Sequence, residues 1–263
     1  MAGQCRSVEQ LNSSVLDFGD VSANATQLAP GAWLLRGFAL GKAGEVLGAT
    51  AEIEAAAPFR HWVTPGGFRM SVAMTNCGSL GWVSDRRGYR YDARDPASGR
   101  PWPAMPPVFL ELARTAALAD GFDFEPDACL LNRYEPGARM SLHRDKDERD
   151  LSAPIVSVSL GLPATFLLGG AARGDPEIRV PLQHGDVVVW GGPARLRYHG
   201  IRRLNDGLHE ALGRQRLNLT LRRAGASQCI APLNPKFLSQ VSFAPLSTAS
   251  IAGVRQPLRR PQK

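Results

Sequence analysis

The sequence contains few cysteines, and they form no cluster. Its four cysteines, Cys5, Cys77, Cys129 and Cys229, are widely separated among 263 residues, and no two of them form a C-x-x-C pair. Scattered thiols argue against a disulfide framework and against a cysteine-rich zinc cluster. The pattern is typical of reduced thiols, and we therefore expect the chain to be cytoplasmic.

Long apolar runs are also missing. No stretch approaches the length of a membrane-spanning helix, and the first ten residues, MAGQCRSVEQ, lack the apolar core of a signal peptide. We therefore expect neither membrane insertion nor secretion. With 44% hydrophobic and 21% charged residues, the composition is that of a globular protein long enough to bury a large core.

Acidic residues are absent from the last forty positions, 224–263. That segment contains five basic residues, which are Lys236, Arg255, Arg259, Arg260 and Lys263. Since the net charge of the whole chain is +7, most of the excess positive charge lies there. The segment fits a solvated extension as well as an arm for nucleic acid, and we hypothesise weak, salt-sensitive affinity for a phosphate backbone.

The hydrophobic pattern changes near residue 128. Before that point we predict strands at 31–40 and 68–78 and helices at 41–57 and 106–121. After it, short apolar stretches such as APIVSVSLGL and GDVVVWGG are separated by glycine and proline turns. The sequence therefore predicts a mainly β fold with flanking helices and a sandwich or jelly-roll core.

One histidine lies inside a dense run of charge, in MSLHRDKDERD at 140–150. His143 and Asp145 are two positions apart, so their side chains can turn to the same side at a strand end and share one metal ion. Arg144, between them, should then point away from the metal. An EF-hand is excluded, because the required glycine and distal glutamate are missing. His199 follows after a long β-patterned stretch, and two histidines with one carboxylate are the ligand set of non-haem Fe(II) oxygenases.

The strand-like segment RLNLTLRR, 216–223, has two different faces. Alternation places three leucines on one face and Arg216, Asn218, Thr220 and Arg222 on the other. Taken alone, the polar face is most simply a solvated outer surface. The alternative is an inward face that binds a carboxylate ligand, since guanidinium groups pair with carboxylates through two hydrogen bonds. Beside the two-histidine site, an arginine of this kind suits 2-oxoglutarate. The other histidines, His61, His184 and His209, are interpreted as structural or solvent-exposed.

Together these segments resemble the AlkB family of Fe(II)/2-oxoglutarate-dependent dioxygenases, the DNA alkylation-repair enzymes. The resemblance extends over about residues 28–225 and rests on WVTPGGFRMSVAMTNCGSLGW, RPWPAMPPVF, NRYEPGARMSLHRDKDE, HGDVVVWGG, RLRYHGI and RLNLTLRRAG. It implies a double-stranded β-helix (jelly roll) core preceded by a nucleotide-recognition lid. We expect four segments: a lead-in at 1–27, helices and lid at 28–127, the core at 128–225, and a flexible basic tail at 226–263.

The resemblance also implies roles for individual residues. The iron ligands, which are the catalytic residues, would be His143, Asp145 and His199. The 2-oxoglutarate site would comprise Asn132, Tyr134, Arg216, Asn218 and Arg222, with Arg216 on the distal carboxylate. The substrate nucleotide would contact Trp82, Tyr89, Tyr91, Asp147 and Arg173. The methylated base would stack between Trp82 and His143, and Asp147 would suit its positive charge.

The implied reaction is oxidative demethylation of bases such as 1-methyladenine and 3-methylcytosine. It uses Fe(II), 2-oxoglutarate and O₂, and releases formaldehyde, succinate and CO₂. The expected partner of this monomer is alkylated DNA, single- or double-stranded. Alternatives are the same chemistry on RNA or another substrate, and a non-catalytic nucleic-acid-binding protein. A zinc hydrolase usually has histidine-rich or cysteine-containing ligands and would leave the arginine face unexplained.

Overall fold

The computed structural model describes residues 24–225, which lie within the first of the chain's two units, Met1–Ser227. Most of the predicted lead-in, up to residue 23, and all of the predicted flexible tail, 226–263, lie outside the described residues. The division into lead-in, lid, core and tail stays a prediction. The first described strand, Ala25–Ala29, already begins within the range assigned to the lead-in.

The described residues form thirteen strands and two α-helices. The strands are β1 (Ala25–Ala29), β2 (Ala32–Leu35), β3 (Ala73–Gly78), β4 (Gly81–Asp85), β5 (Gly88–Asp92), β6 (Ala128–Tyr134), β7 (Met140–His143), β8 (Ile155–Gly161), β9 (Ala164–Leu168), β10 (Ile178–Leu182), β11 (Val187–Trp190), β12 (His199–Ile201) and β13 (Arg216–Arg222). The helices are α1 (Ala43–Ala56) and α2 (Pro107–Ala119).

Two antiparallel sheets make up the core. The large sheet has the order β1-β2-β11-β8-β13-β6-β3, and the small one has the order β10-β9-β12-β7. One buried cluster combines side chains of both sheets, among them Ile155 and Trp190 of the large sheet and Phe166 and Leu168 of the small one. The predicted jelly roll is therefore confirmed. The hairpin β4–β5 forms a separate two-stranded sheet within the segment predicted to be the lid.

Strand β13 lies in the middle of the large sheet, between β6 and β8, and all its residues are buried. Its three leucines pack in the same cluster as Phe109 and Leu112 of α2. Its polar residues lie on the opposite face, where Arg216 is only 1% exposed and Arg222 only 5%. The simpler interpretation of this face as a solvated surface is therefore wrong, and the inward alternative is correct.

Both predicted helices are present with slightly shorter bounds, whereas the two early strands were predicted too long. Strand β2 ends at Leu35, because Gly37 adopts a positive φ of 62° and turns the chain toward α1. Strand β3 begins only at Ala73; residues before it make isolated bridges instead, including Val63 with Arg69. None of the helices described between residues 24 and 225 has the length and apolar character needed to cross a membrane.

Candidate active site

A cavity of about 760 Å³ is lined by side chains of both sheets and of the hairpin β4–β5. Its volume is within the range of small-molecule sites in proteins. His143, Asp145 and His199 line it, and so do Asn132, Tyr134, Asn218 and Arg222. Three of the four polar residues of β13, Asn218, Thr220 and Arg222, therefore meet the two histidines of the small sheet at one cavity, whereas Arg216 is not among the lining residues.

The strand pairing of the small sheet brings the two histidines together. His143 is the last residue of β7, and its register partner on the antiparallel strand β12 is His199. The ring centroids lie 4.4 Å apart. Asp145 follows two residues after His143, and its carboxylate oxygens lie 3.6 Å from Nε2 of His143 and 3.5 Å from Nε2 of His199. One ligand atom from each residue lies within 4.8 Å of the other two, so the three can hold one metal ion.

Backbone carbonyl groups orient both rings. Nδ1 of His143 lies 2.9 Å from the carbonyl oxygen of Ser141, and Nδ1 of His199 lies 3.1 Å from that of Arg197. A carbonyl oxygen only accepts, so each Nδ1 donates a hydrogen bond to the backbone, and each Nε2 lies near the carboxylate of Asp145. Burial, together with His199, lowers the pKa of His143 to about 4, so its ring is neutral at pH 7.

The third ligand is anionic. Burial alone would raise the pKa of Asp145, but Arg222 and the two histidines outweigh it and hold that pKa well below its usual range. Nε and Nη2 of Arg222 donate to Asp145 Oδ2 at 3.1 and 2.6 Å. Two imidazoles and one carboxylate on one side of a cavity are the donor set that suits Fe(II) in oxygenases. The residues present therefore fit this metal.

Arg216 is buried with only part of its guanidinium group paired. Nη2 donates to Ser159 Oγ at 2.8 Å, and the guanidinium carbon lies 5.0 Å from the ring centroid of Tyr134. Nε and Nη1 have no hydrogen-bond partner among the described residues. Burial lowers its pKa, because desolvation disfavours the charged form. Burying a cation with two unpaired donors costs folding free energy, and an anion that pairs with those donors offsets this cost.

Asn132 and Asn218 lie opposite each other on β6 and β13. Nδ2 of Asn132 donates to Oδ1 of Asn218 at 3.2 Å, and Nδ2 of Asn218 donates to Ser157 Oγ at 2.8 Å. Oδ1 of Asn132 has no partner within the part of the chain that the structure describes. The amide of Asn218 is thus held by its neighbours, while one end of the Asn132 amide remains open to a ligand.

A buried ionic network contacts the segment that carries the metal ligand Asp145. The Glu148 carboxylate lies 3.2 Å from Nη2 of Arg195 and 3.4 Å from Nε of Arg222, and it accepts a hydrogen bond from the Tyr91 hydroxyl at 2.8 Å. Arg195 also donates to the backbone carbonyl of Asp145 at 2.8 Å. The network therefore ties a hairpin strand to the segment that carries a metal ligand. No spacing in the sequence marks Glu148 or Arg195 for this role.

Four of the five residues predicted to contact the nucleotide line the cavity, and the fifth, Tyr91, does not. Trp82 and Tyr89 stack with ring centroids 5.5 Å apart, and Trp82 Nε1 donates to Asp147 Oδ2 at 3.0 Å. Arg173 lies with its guanidinium carbon 5.3 Å from the Tyr198 ring centroid. These side chains line the cavity, whereas Tyr91 does not line it and is engaged in the ionic network.

The remaining histidines lie away from the cavity, as expected. His184 and His209 stack with ring centroids 4.5 Å apart, and His61 contacts the carbonyl oxygen of Met70. None of the three lines the cavity. Their interpretation as structural residues is consistent with these contacts.

Comparison with known proteins gives matches over most of the chain. The family model of the 2OG-Fe(II) oxygenase superfamily matches residues 31–222. The chain is 55% identical over 212 residues to the alpha-ketoglutarate-dependent dioxygenase AlkB of Escherichia coli and to that of Salmonella typhimurium, covering 80% of this chain and 98% of each relative. A solved structure of OsALKBH1 superposes with a TM-score of 0.68 at 28% identity, covering 76% of this chain and 99% of that one.

Proposed function

The chain belongs to the AlkB family of 2OG-Fe(II) oxygenases, and from that premise we propose that it repairs alkylated DNA by oxidative demethylation. The enzyme is an Fe(II)- and 2-oxoglutarate-dependent dioxygenase. Its proposed substrates are bases such as 1-methyladenine and 3-methylcytosine, and its proposed products are the unmodified base, formaldehyde, succinate and CO₂.

The observation that carries the 2-oxoglutarate-dependent part of this function is the guanidinium of Arg216, which is only partly paired. The side chain is 1% exposed, and two of its nitrogens lack a partner among residues 24–225. Through its stacking on Tyr134 it adjoins the cavity that holds the two histidines and Asp145. A carboxylate such as the distal one of 2-oxoglutarate would neutralise this cation and pair with its two remaining donors.

Each residue of the site would have a distinct role. His143, Asp145 and His199 hold the iron, and Arg222 keeps Asp145 ionised and oriented. Arg216 binds the distal carboxylate of 2-oxoglutarate, while Asn132, Asn218 and Tyr134 shape the channel that leads to it. Iron held there, together with 2-oxoglutarate and O₂, would supply the oxidising chemistry that converts the N-methyl group to formaldehyde and 2-oxoglutarate to succinate and CO₂.

The substrate base must leave the duplex to reach this cavity. Unpairing costs least for a base whose methyl group already blocks Watson–Crick pairing, which favours lesions over normal bases. Trp82 and His143 would stack on the extruded base, and such stacking is typically worth about 1–3 kcal/mol per base. Asp147, held by the indole N–H of Trp82, places a carboxylate near a base that methylation has made cationic.

We expect Asp147→Asn to lower the activity on cationic lesions and to leave the activity on neutral lesions nearly unchanged. The amide keeps an oxygen that can accept from Trp82 but loses the negative charge. The ratio kcat/KM for 3-methylcytosine should fall about 10-fold, equivalent to about 1.4 kcal/mol, while that for the neutral lesion 3-methylthymine changes little. Steady-state demethylation of the two oligonucleotides measures this. Asp206→Asn, an exposed acid paired with Arg214, serves as the control. Equal losses on both lesions would contradict the charge argument.

The substrate class is tested with matched oligonucleotides. DNA with and without 3-methylcytosine, and RNA with the same lesion, are incubated with iron-loaded protein, 2-oxoglutarate and O₂. We expect methyl loss from the DNA lesion and succinate well above the level seen with unmethylated DNA. Succinate formation without methyl loss from either nucleic acid would reject the proposed substrate while leaving the iron chemistry intact. Faster reaction on RNA would transfer the function to RNA.

We also propose a monomeric, cytoplasmic enzyme. The proposed iron and 2-oxoglutarate residues all come from one chain, so the site does not need a second copy. Cys77 and Cys129 are buried register partners on β3 and β6, and both are free thiols. Unoxidised neighbouring thiols suit a reducing compartment.

A further inference from the structure

Arg144 lies at the cavity, although strand alternation predicts that it points away from the metal. Strand β7 ends at His143, so the alternation no longer applies to the next residue. The Arg144 guanidinium carbon lies 4.9 Å from the ring centroid of Tyr198, and that of Arg173 lies 5.3 Å from the same centroid. Two arginines therefore share one aromatic ring beside the metal ligands His143 and His199.

The cavity rim carries more positive than negative charge. Five of its lining residues are exposed cations that form no ion pair within the described part of the chain: Arg69, Arg139, Arg144, Lys146 and Arg173. The acids that line the cavity are Asp145 and Asp147. Arg222 pairs with Asp145, and Asp147 accepts from Trp82. The rim cations thus remain available to an anion from outside.

Stacking on Tyr198 leaves the N–H groups of these two arginines free to bind a phosphate group. A guanidinium that lies on an aromatic face keeps its N–H edge free, and that edge matches two oxygens of a phosphate group. Tyr198 precedes the metal ligand His199 in the chain, and Arg144 follows His143. The stack therefore lies at the cavity beside two of the proposed metal ligands, which is where the sugar-phosphate backbone of a base inserted into the cavity would be expected to lie.

We propose that Arg144, stacked with Arg173 on Tyr198, binds a backbone phosphate next to the extruded nucleotide. The proposal rests on the proposed function and adds Arg144 and Tyr198 to the DNA-binding residues. Because the contact is with phosphate, it should contribute to the affinity for every DNA sequence, with or without a lesion. It should appear as a salt-dependent part of the affinity.

The test measures the affinity of the full-length protein for an unmodified single-stranded oligonucleotide by fluorescence anisotropy at several NaCl concentrations. For Arg144→Ala we expect a roughly five-fold weaker Kd at low salt and a salt slope smaller by roughly 0.7–1, the change for one lost phosphate contact. Arg144→Lys should keep part of the slope, because it keeps the charge but loses the planar stack. Tyr198→Ala should weaken binding in the same direction.

Arg202→Ala is the matched control, because Arg202 is an exposed arginine that forms no ion pair with any residue from 24 to 225 and does not line the cavity. Unchanged affinity and slope in Arg144→Ala, with normal binding by the wild type, would overturn the proposal and leave the proposed function standing. The same would follow from equal losses in Arg144→Ala and Arg202→Ala. A wild-type protein that does not bind DNA would instead overturn the proposed function.

Discussion

The Arg216→Met enzyme will bind 2-oxoglutarate at least about 100-fold more weakly than the wild type, a loss of about 2.7 kcal/mol. Removing one partner of a buried, hydrogen-bonded charge pair typically costs about 2–5 kcal/mol of binding free energy. Nε and Nη1 of Arg216 have no hydrogen-bond partner among the described residues. The other buried donors without a partner there are the neutral indole N–H groups of Trp62 and Trp190 and Nη1 of Arg90, and of these residues only Trp190 lines the cavity, so none of them supplies a second charged partner for the carboxylate. The KM for 2-oxoglutarate and the rise in melting temperature on its addition both measure the effect.

The same substitution should not destabilise the protein that lacks 2-oxoglutarate. Replacing a buried charge by an apolar side chain of similar volume is often neutral or stabilising. The melting temperature without 2-oxoglutarate should therefore stay level or rise, while the increase produced by 2-oxoglutarate in the wild type disappears. A large fall in melting temperature with unchanged 2-oxoglutarate affinity would show that Arg216 is only structural.

His199→Ala should lose iron and, with it, demethylation. Replacing residues that merely orient metal ligands typically costs about 10–100-fold in metal affinity or activity, and the loss of a ligand itself should exceed that range. The His199 ring lies 5.0 Å from that of Trp190, and its Nε2 is 3.5 Å from Asp145. Among the described residues, the group that could hold a metal ion is His143, Asp145 and His199, so the substitution leaves two ligands. Anaerobic equilibrium dialysis against Fe(II), followed by metal analysis, gives the affinity without relying on turnover.

His184→Ala is the matched control for this loss. His184 also stacks on a second histidine, and its Nδ1 accepts a hydrogen bond from the backbone N–H of Gly161. It does not line the cavity, so the substitution should leave iron affinity unchanged. Equal iron binding by His199→Ala and the wild type would remove His199 from the metal site.

The alternating pattern of 216–223 predicted strand β13 and its two faces. Sequence alone could not decide which face is inward, because the alternation is the same in either case. The answer depends on the second sheet and on the cavity that the two sheets share. His143 and His199 meet through the antiparallel pairing of β7 with β12, a long-range contact that local patterns do not specify.

The ionic network is the part of the site that sequence reasoning could not reach. Glu148 sits in a charged run, where an acid is usually solvated, yet its side chain is 2% exposed. Its partner Arg195 lies far along the chain, after the short 3₁₀ helix Gly192–Ala194. Only the folded arrangement shows that one carboxylate joins Arg195, Arg222 and Tyr91. Strand alternation predicts that Arg144 points away from the metal, but it does not predict that the guanidinium lies over Tyr198 at the cavity, because β7 ends at His143.

The most direct test of the account follows the methyl group itself. Wild-type and His143→Ala proteins are loaded anaerobically with Fe(II) and 2-oxoglutarate, then exposed to air with an oligonucleotide carrying 1-methyladenine or 3-methylcytosine, and the products are weighed by mass spectrometry. We predict that the wild type removes the methyl group only when iron and 2-oxoglutarate are both present, and that His143→Ala leaves it in place. A folded, iron-loaded wild type that neither removes the methyl group nor forms succinate would contradict the assignment of His143, Asp145 and His199 as the iron centre of a demethylase.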